Sequence, residues 1–172
     1  MRLFIAVNFD QDTKSKITEL AKRLKSLGIS GNYIKEQNYH LTLLFLGESD
    51  HSQLQAAKKA IQRIKTKPFD ITFQNISNFG KNIIHLKVKP CEALGQIHDF
   101  LRESLIDDFS LTDTLFSPHI TLVRKPSFLP SPKADIFGDI LPFDCLVDSV
   151  SLMLSSRQNG KLVYTPLFTH TL

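Results

Sequence analysis

Apolar residues recur with period two in some stretches of this chain and every three to four residues in others, so strands and helices can be laid out directly. Residues 2–8 read as a strand. Asp10 or Asp12 then caps a helix to about Leu27, with Ile17, Leu20, Ala21, Leu24 and Leu27 as its apolar stripe and Gly28 as its stop. Residues 39–46 alternate as a strand ended by Gly47. Ser49 or Asp50 caps a second helix that turns Leu54, Ala57, Ile61 and Ile64 inward. Two strands, 68–76 and 82–89, flank a turn at 78–82. A third helix, from about 91 to 107, carries Leu94, Ile97, Leu101 and Leu105. Residues 108–118 read as loop plus a short strand, and 119–124 as a strand. The stretch 126–132 holds three prolines and reads as a loop. Further strands fit 134–143, 147–154 and 162–170, the last two joined by a hairpin turn at Arg157-Gln158-Asn159-Gly160. Helices and strands alternate in both halves, which predicts an α+β domain of two similar lobes over residues 1–172.

Two of these strands begin alike. His40-Leu41-Thr42-Leu43 returns as His119-Ile120-Thr121-Leu122. Alternate residues of a strand share a face, roughly 6.6–7 Å apart. Each copy therefore presents a histidine and a threonine together and buries the two aliphatic residues behind them. Phe45, by the same alternation, is expected on the buried Leu41/Leu43 face. A lone His-x-Thr in a strand usually means a hydrogen-bonded surface histidine, whereas two copies in matching contexts point to one shared site. Neutral imidazole takes a proton and imidazolium gives one, so a histidine pair supplies base and acid near pH 7.

Composition narrows the alternatives. At 172 residues and 42% hydrophobic, the chain can build a sizeable core. Its net charge of +4 suits an anionic ligand but does not by itself indicate nucleic acid. No run approaches the ~20 apolar residues of a membrane span, and the N-terminal run lacks the form of a signal peptide. Cys91 and Cys145 form no metal-binding spacing; the simplest expectation is a reduced, cytoplasmic protein, monomeric and without a metal or other cofactor. Among the other histidines, His51 is expected in solvent at the start of the second helix and His98 at the surface beside Asp99. His170 is expected to be structural. His85 enters a cleft only if its strand lies beside the second motif. Lys35, Lys81, Lys125 and Lys133 are each read first as solvated surface residues, with guidance of an anionic strand to the cleft as the alternative.

The run Arg2 to Val7, the run His40 to Gly47 and the run Ser117 to Arg124 together resemble the 2H phosphoesterase superfamily, in particular its RNA 2′,3′-cyclic phosphodiesterase branch, also called 2′-5′ RNA ligase. The tail from Leu152 to Leu172, with Ser155-Ser156-Arg157, Gly160 and Tyr164-Thr165-Pro166-Leu167, is similar to that branch's closing hairpin. The resemblance implies a LigT-like bilobal fold: two antiparallel β-sheets line a central V-shaped cleft, with helices outside. It implies metal-independent hydrolysis of 2′,3′-cyclic phosphate RNA ends to a 2′-phosphate. His40 and His119 would be the catalytic acid–base pair, and Thr42, Thr121 and Arg124 would bind the phosphate. Two departures stand out. The family often has a tryptophan near 82–89, where this chain reads Ile83-Ile84-His85-Leu86. A regular pleat also puts Arg124, five residues after His119, on the opposite face, so it reaches the cleft only if the strand twists, bulges or ends. The alternatives are a phosphodiesterase for another small cyclic nucleotide, and a nucleotide- or RNA-binding protein without turnover.

Overall fold

The computed structural model describes residues 1–112, 115–127 and 140–172. Strand β1 (Arg2–Asn8) leads into helix α1 (Gln11–Ser26). The carboxylate of Asp10 accepts the Thr13 amide at 2.7 Å and caps α1. A two-residue strand, β2 (Asn32–Tyr33), and a 3₁₀ turn at Glu36–Asn38 precede β3 (His40–Glu48), the first motif strand. Helix α2 (His51–Gln62) starts at a capping box in which Asp50 and Gln53 each satisfy the other's backbone amide. The hairpin β4 (Phe69–Phe79) and β5 (Ile83–Val88) follows, then α3 (Glu92–Leu105) and the second motif strand β6 (His119–Arg124). Strands β7 (Phe143–Val147), β8 (Ser149–Gln158) and β9 (Lys161–Thr171) complete the order. The turn between β8 and β9 has Asn159 and Gly160 at φ of 50° and 75°, the paired positive values of a tight hairpin.

The strands form two antiparallel sheets. One has the order β3-β1-β8-β9, the other β2-β6-β5-β4-β7. Each motif strand pairs with the strand preceding it across one helix: β3 with β1 across α1, and β6 with β5 across α3. The sequence β3-β1-β8-β9 in one sheet thus matches β6-β5-β4-β7 in the other. The backs of both sheets share one apolar core with all three helices, built on Ile5, Leu41, Leu86 and Ile120 from the strands and on Ile17, Ile61 and Leu101 from the helices. A second, smaller cluster of Phe4, Ala6 and Met153, flanked by Tyr164, lies on the other face of the first sheet. Strands β3 and β6 meet where the sheets face each other.

Several boundaries differ from the periodicity reading. No strand occurs in the described part of 108–118. The unexpected β2 instead pairs with the outer edge of β6. Of the strand expected at 134–143, residues 134–139 lie outside the described residues, as does most of the proline loop; 140–142 are irregular, and β7 begins at Phe143. The strand expected at 147–154 is displaced to β8, separated from β7 by Asp148. The reason is that β7 and β8 lie at different sheets, β7 beside β4 and β8 beside β1, and a break is needed for the chain to cross.

Gly31 makes the β2–β6 pairing possible. Its φ is 151°, and a Cβ there would lie 2.7 Å from Val123 Cγ1 and 2.9 Å from Pro126 Cα. Gly31→Ala should therefore lower stability by about 1–3 kcal/mol through overpacking and backbone strain. Urea unfolding checks this; a change under a few tenths of a kcal/mol would count against the close approach.

Candidate active site

Strict alternation fails at the same step in both motif strands. In β3, Ala6 of β1 pairs with Thr42 and Ile5 with Leu44, so Leu43 is an extra residue. In β6, His85 of β5 pairs with Thr121 and Ile84 with Val123, so Leu122 is extra. Each extra residue is a β-bulge that shifts the following residues to the other face. Leu43 and Leu44 are both buried, as are Leu122 and Val123. The fifth residue after each histidine consequently lies on the histidine's own face. In β3 that residue is Phe45, in β6 Arg124. The bulge thus brings Arg124 to the side of its strand that carries His119 and Thr121. It also overturns the expectation for Phe45, which is 64% exposed and lies beside Phe4 on the His40 face.

The two histidines are held alike. His40 Nδ1–H donates to the Asn38 carbonyl at 2.7 Å, and His119 Nδ1–H donates to the Ser117 carbonyl at 2.7 Å. A carbonyl only accepts, so each neutral ring carries its hydrogen on Nδ1 and leaves Nε2 with a lone pair. The anchor of the first tether is itself fixed: Asn38 is buried and its Nδ2 donates to the Leu162 carbonyl of β9 at 3.0 Å. Each imidazole also sits between two rings. His40 packs against Phe4 and Tyr164, both centred 4.9 Å away; His119 packs edge-on against Phe79 at 4.9 Å and His85 at 5.3 Å.

This packing removes water and disfavours imidazolium. Burial pushes the His40 pKa down to about 4, and the positive charges of Arg124 and His119 add to the effect against the raising influence of the Asn38 carbonyl. His119 is lowered for the same reasons, burial first and Arg124 after it. His40 on one sheet thus senses Arg124 and His119 on the other. Thr42 and Phe45 from one sheet, with Phe79 and His119 from the other, line a groove of about 460 Å³ that continues past Phe116 to α3. Thr121 is partly buried beside His119 on β6.

The remaining histidines divide. His51 is exposed as expected. The His170 ring bonds the Ile64 carbonyl through Nε2 at 3.1 Å, a structural contact. His98 corrects the surface expectation: it is buried, stacked on Phe116 at 4.3 Å, with Nδ1 2.8 Å from Asp99 Oδ1. The buried stripe of α3 is wider than the Leu94-Ile97-Leu101-Leu105 line and includes position 98. His85 lies on the strand beside the motif and is buried against His119. Among the described residues, no group of three or more His, Cys, Asp or Glu is arranged to hold a metal ion, and no helix is long and apolar enough to cross a membrane. Lys133 lies outside the described residues.

With this geometry in place, comparison with known proteins is decisive. The family model described as the 2′-5′ RNA ligase superfamily matches residues 11–159. The chain belongs to that family. It is 27% identical over 176 residues to the RNA 2′,3′-cyclic phosphodiesterase of Thermotoga maritima, covering 98% of this chain and 94% of the relative. It is 30% identical to the enzyme of the same name from Archaeoglobus fulgidus over 129 residues, 72% of each chain. The structure of Escherichia coli LigT complexed with 3′-AMP superposes with a TM-score of 0.80 at 26% identity, covering 99% of this chain and 96% of LigT. The α+β fold of two antiparallel sheets is thus the LigT fold.

Phe4, Phe79 and Tyr164 escaped the reading of the sequence. A signal for the bulges was nevertheless present: an apolar doublet, Leu43-Leu44 or Leu122-Val123, interrupts the alternation after each threonine.

The depressed histidines carry a stability signature. The unfolded chain binds protons at His40 and His85 near pH 6.5, whereas the folded chain holds both down to about 4. Below pH 6.5 the unfolded state binds more protons, so stability falls with pH. Thermal unfolding should show Tm dropping from pH 7.5 to 5, above the range where carboxylates titrate. Sulfate, an anion throughout that range, should raise Tm more at pH 5 than at 7.5. A flat Tm with no sulfate effect would contradict the buried neutral rings.

Proposed function

We propose that this protein is an RNA 2′,3′-cyclic phosphodiesterase that opens a terminal cyclic phosphate to a 2′-phosphate with two histidines and no metal. The observation that carries the reading is the matched pair of imidazoles, His40 and His119, tethered through Nδ1 in the same tautomer on two strands that meet where the sheets face each other. The names of its relatives support the substrate class. Free Cys91 and Cys145 suit a monomer working in the reducing cytoplasm.

In the reaction a water oxygen bonds to phosphorus while the bond from phosphorus to the 3′ oxygen breaks. One Nε2 accepts the proton of the attacking water. The other, protonated, gives its proton to the departing oxygen. Both rings are held below their ordinary pKa in the free protein. A phosphodiester anion placed beside Arg124 opposes that field, so substrate binding itself favours protonation of one ring. Thr42 and Thr121 hydroxyls and the Arg124 guanidinium stabilise the charge that grows on the non-bridging oxygens. The groove beyond Thr42 and His119 has room for the attached nucleoside.

Hydrolysis of a 2′,3′-cyclic nucleotide and of an RNA oligomer with a cyclic phosphate end tests the proposal, with product analysis for the 2′-phosphate. His40→Ala and His119→Ala should each lower kcat by about 10² or more. The double variant should be little worse than either, since a proton-transfer pair acts as a unit. Thr42→Ala and Thr121→Ala should cost less. Turnover should survive chelation, and wild-type rate should follow a bell-shaped pH profile. Binding without turnover would favour the nucleotide-binding reading. Turnover of the mononucleotide but not the oligomer would favour a small cyclic nucleotide as substrate.

A further inference from the structure

The two lobes differ at the position paired with each motif threonine. Across the pairing from Thr42 stands Ala6; across from Thr121 stands His85. His85 is 2% exposed, and its Nδ1 is shut off from solvent with no hydrogen-bond partner. A buried nitrogen without a partner is destabilising, so His85 is not there for stability alone. Its ring lies parallel to Phe79, centred 3.9 Å away at 11°, and meets His119 at 71° with centres 5.3 Å apart. Phe79 in turn meets His119 at 82°. Phe79 is the last residue of β4 and is 39% exposed at the groove, so the inner face of its ring rests on His85.

The two tethers differ as well. The Asn38 carbonyl that holds His40 belongs to a residue bonded to β9. The Ser117 carbonyl that holds His119 belongs to an irregular segment. His119 therefore depends more on its neighbouring rings for its orientation. We infer that His85, stacked beneath Phe79 and against His119, is a positioning residue: the pair forms a wall that holds the His119 ring in its working plane and keeps water from it. The inference rests on His119 being a proton carrier. Besides His85, the charged or titratable groups near His119 are Arg124 on its own strand, Lys87, its partner in β5, and His40 on the other sheet.

The test compares His85→Ala, His85→Phe and Phe79→Ala with wild type by turnover of a 2′,3′-cyclic nucleotide and by nitrogen NMR of the His119 ring. With the wall removed, His85→Ala should lower kcat about ten-fold to a hundred-fold with KM little changed, as expected for misplacement of a reacting group. Its His119 pKa should rise toward the ordinary histidine value as water enters, and the Nδ1–H form should mix with the other tautomer. His85→Phe restores the stacked ring and should recover most of kcat, together with the wild-type His119 spectrum. Phe79→Ala truncates a half-exposed side chain and leaves the interior filled. It should move His119 in the same direction as His85→Ala, which keeps the test open should that variant not fold. An unmoved His119 spectrum in both alanine variants would overturn the inference, as would a His85→Phe variant as impaired as His85→Ala. Absence of turnover in the wild-type protein would instead refute the proposed function, and the NMR comparison would still decide the role of His85.

Discussion

One extra residue directly after the threonine of each motif strand is the constraint on which the site depends. In a regular strand, residues an even number apart share a face and residues five apart do not. A site built from a histidine, the threonine two positions on and the residue five positions on therefore needs a break in the regular pleat. The bulges at Leu43 and Leu122 supply it. They are held by the core: each sends two consecutive aliphatic side chains into the same apolar interior, where slipping the register back would expose one of them. Packing behind the sheets thus fixes which side chains meet in front of them.

The same device, used twice, yields two different halves. One bulge delivers an aromatic ring, Phe45, and the other a cation, Arg124. Opposite the threonines, one lobe has Ala6 and the other His85. Each histidine keeps its Nδ1 bond to the carbonyl two residues before it, while the surroundings, the footing of those carbonyls included, diverge. Such a pattern fits an old duplication in which the histidine–threonine pairs were retained and the flanking positions diverged.

Electrostatics gives the arrangement its character. Rings enclosed by Phe4, Tyr164, Phe79 and His85 lose hydration, and Arg124 adds a fixed positive charge, so both imidazoles are held neutral in the free protein. The energetic cost of crowding cationic groups together is relieved by an anion. Under the proposed function, affinity for a phosphate and readiness to hold a transferable proton follow from one field.

The sequence by itself determined the helices, most strands, the β8–β9 turn and the histidine–threonine pairs, because these follow from local periodicity, caps and turn residues. Asp10, Asp50 and the Asn159-Gly160 pair act on their immediate neighbours, and their effect can be read from adjacent positions. Beyond the two hairpins, which strand lies beside which was decided only by the tertiary structure. So were the faces of Phe45 and Arg124, the burial of His98 and the packing of His85 against His119. Those outcomes arise from pairing and core contacts between segments far apart in the chain: His85 touches His119 because β5 lies beside β6, and a single unpaired leucine between them reverses every side chain that follows.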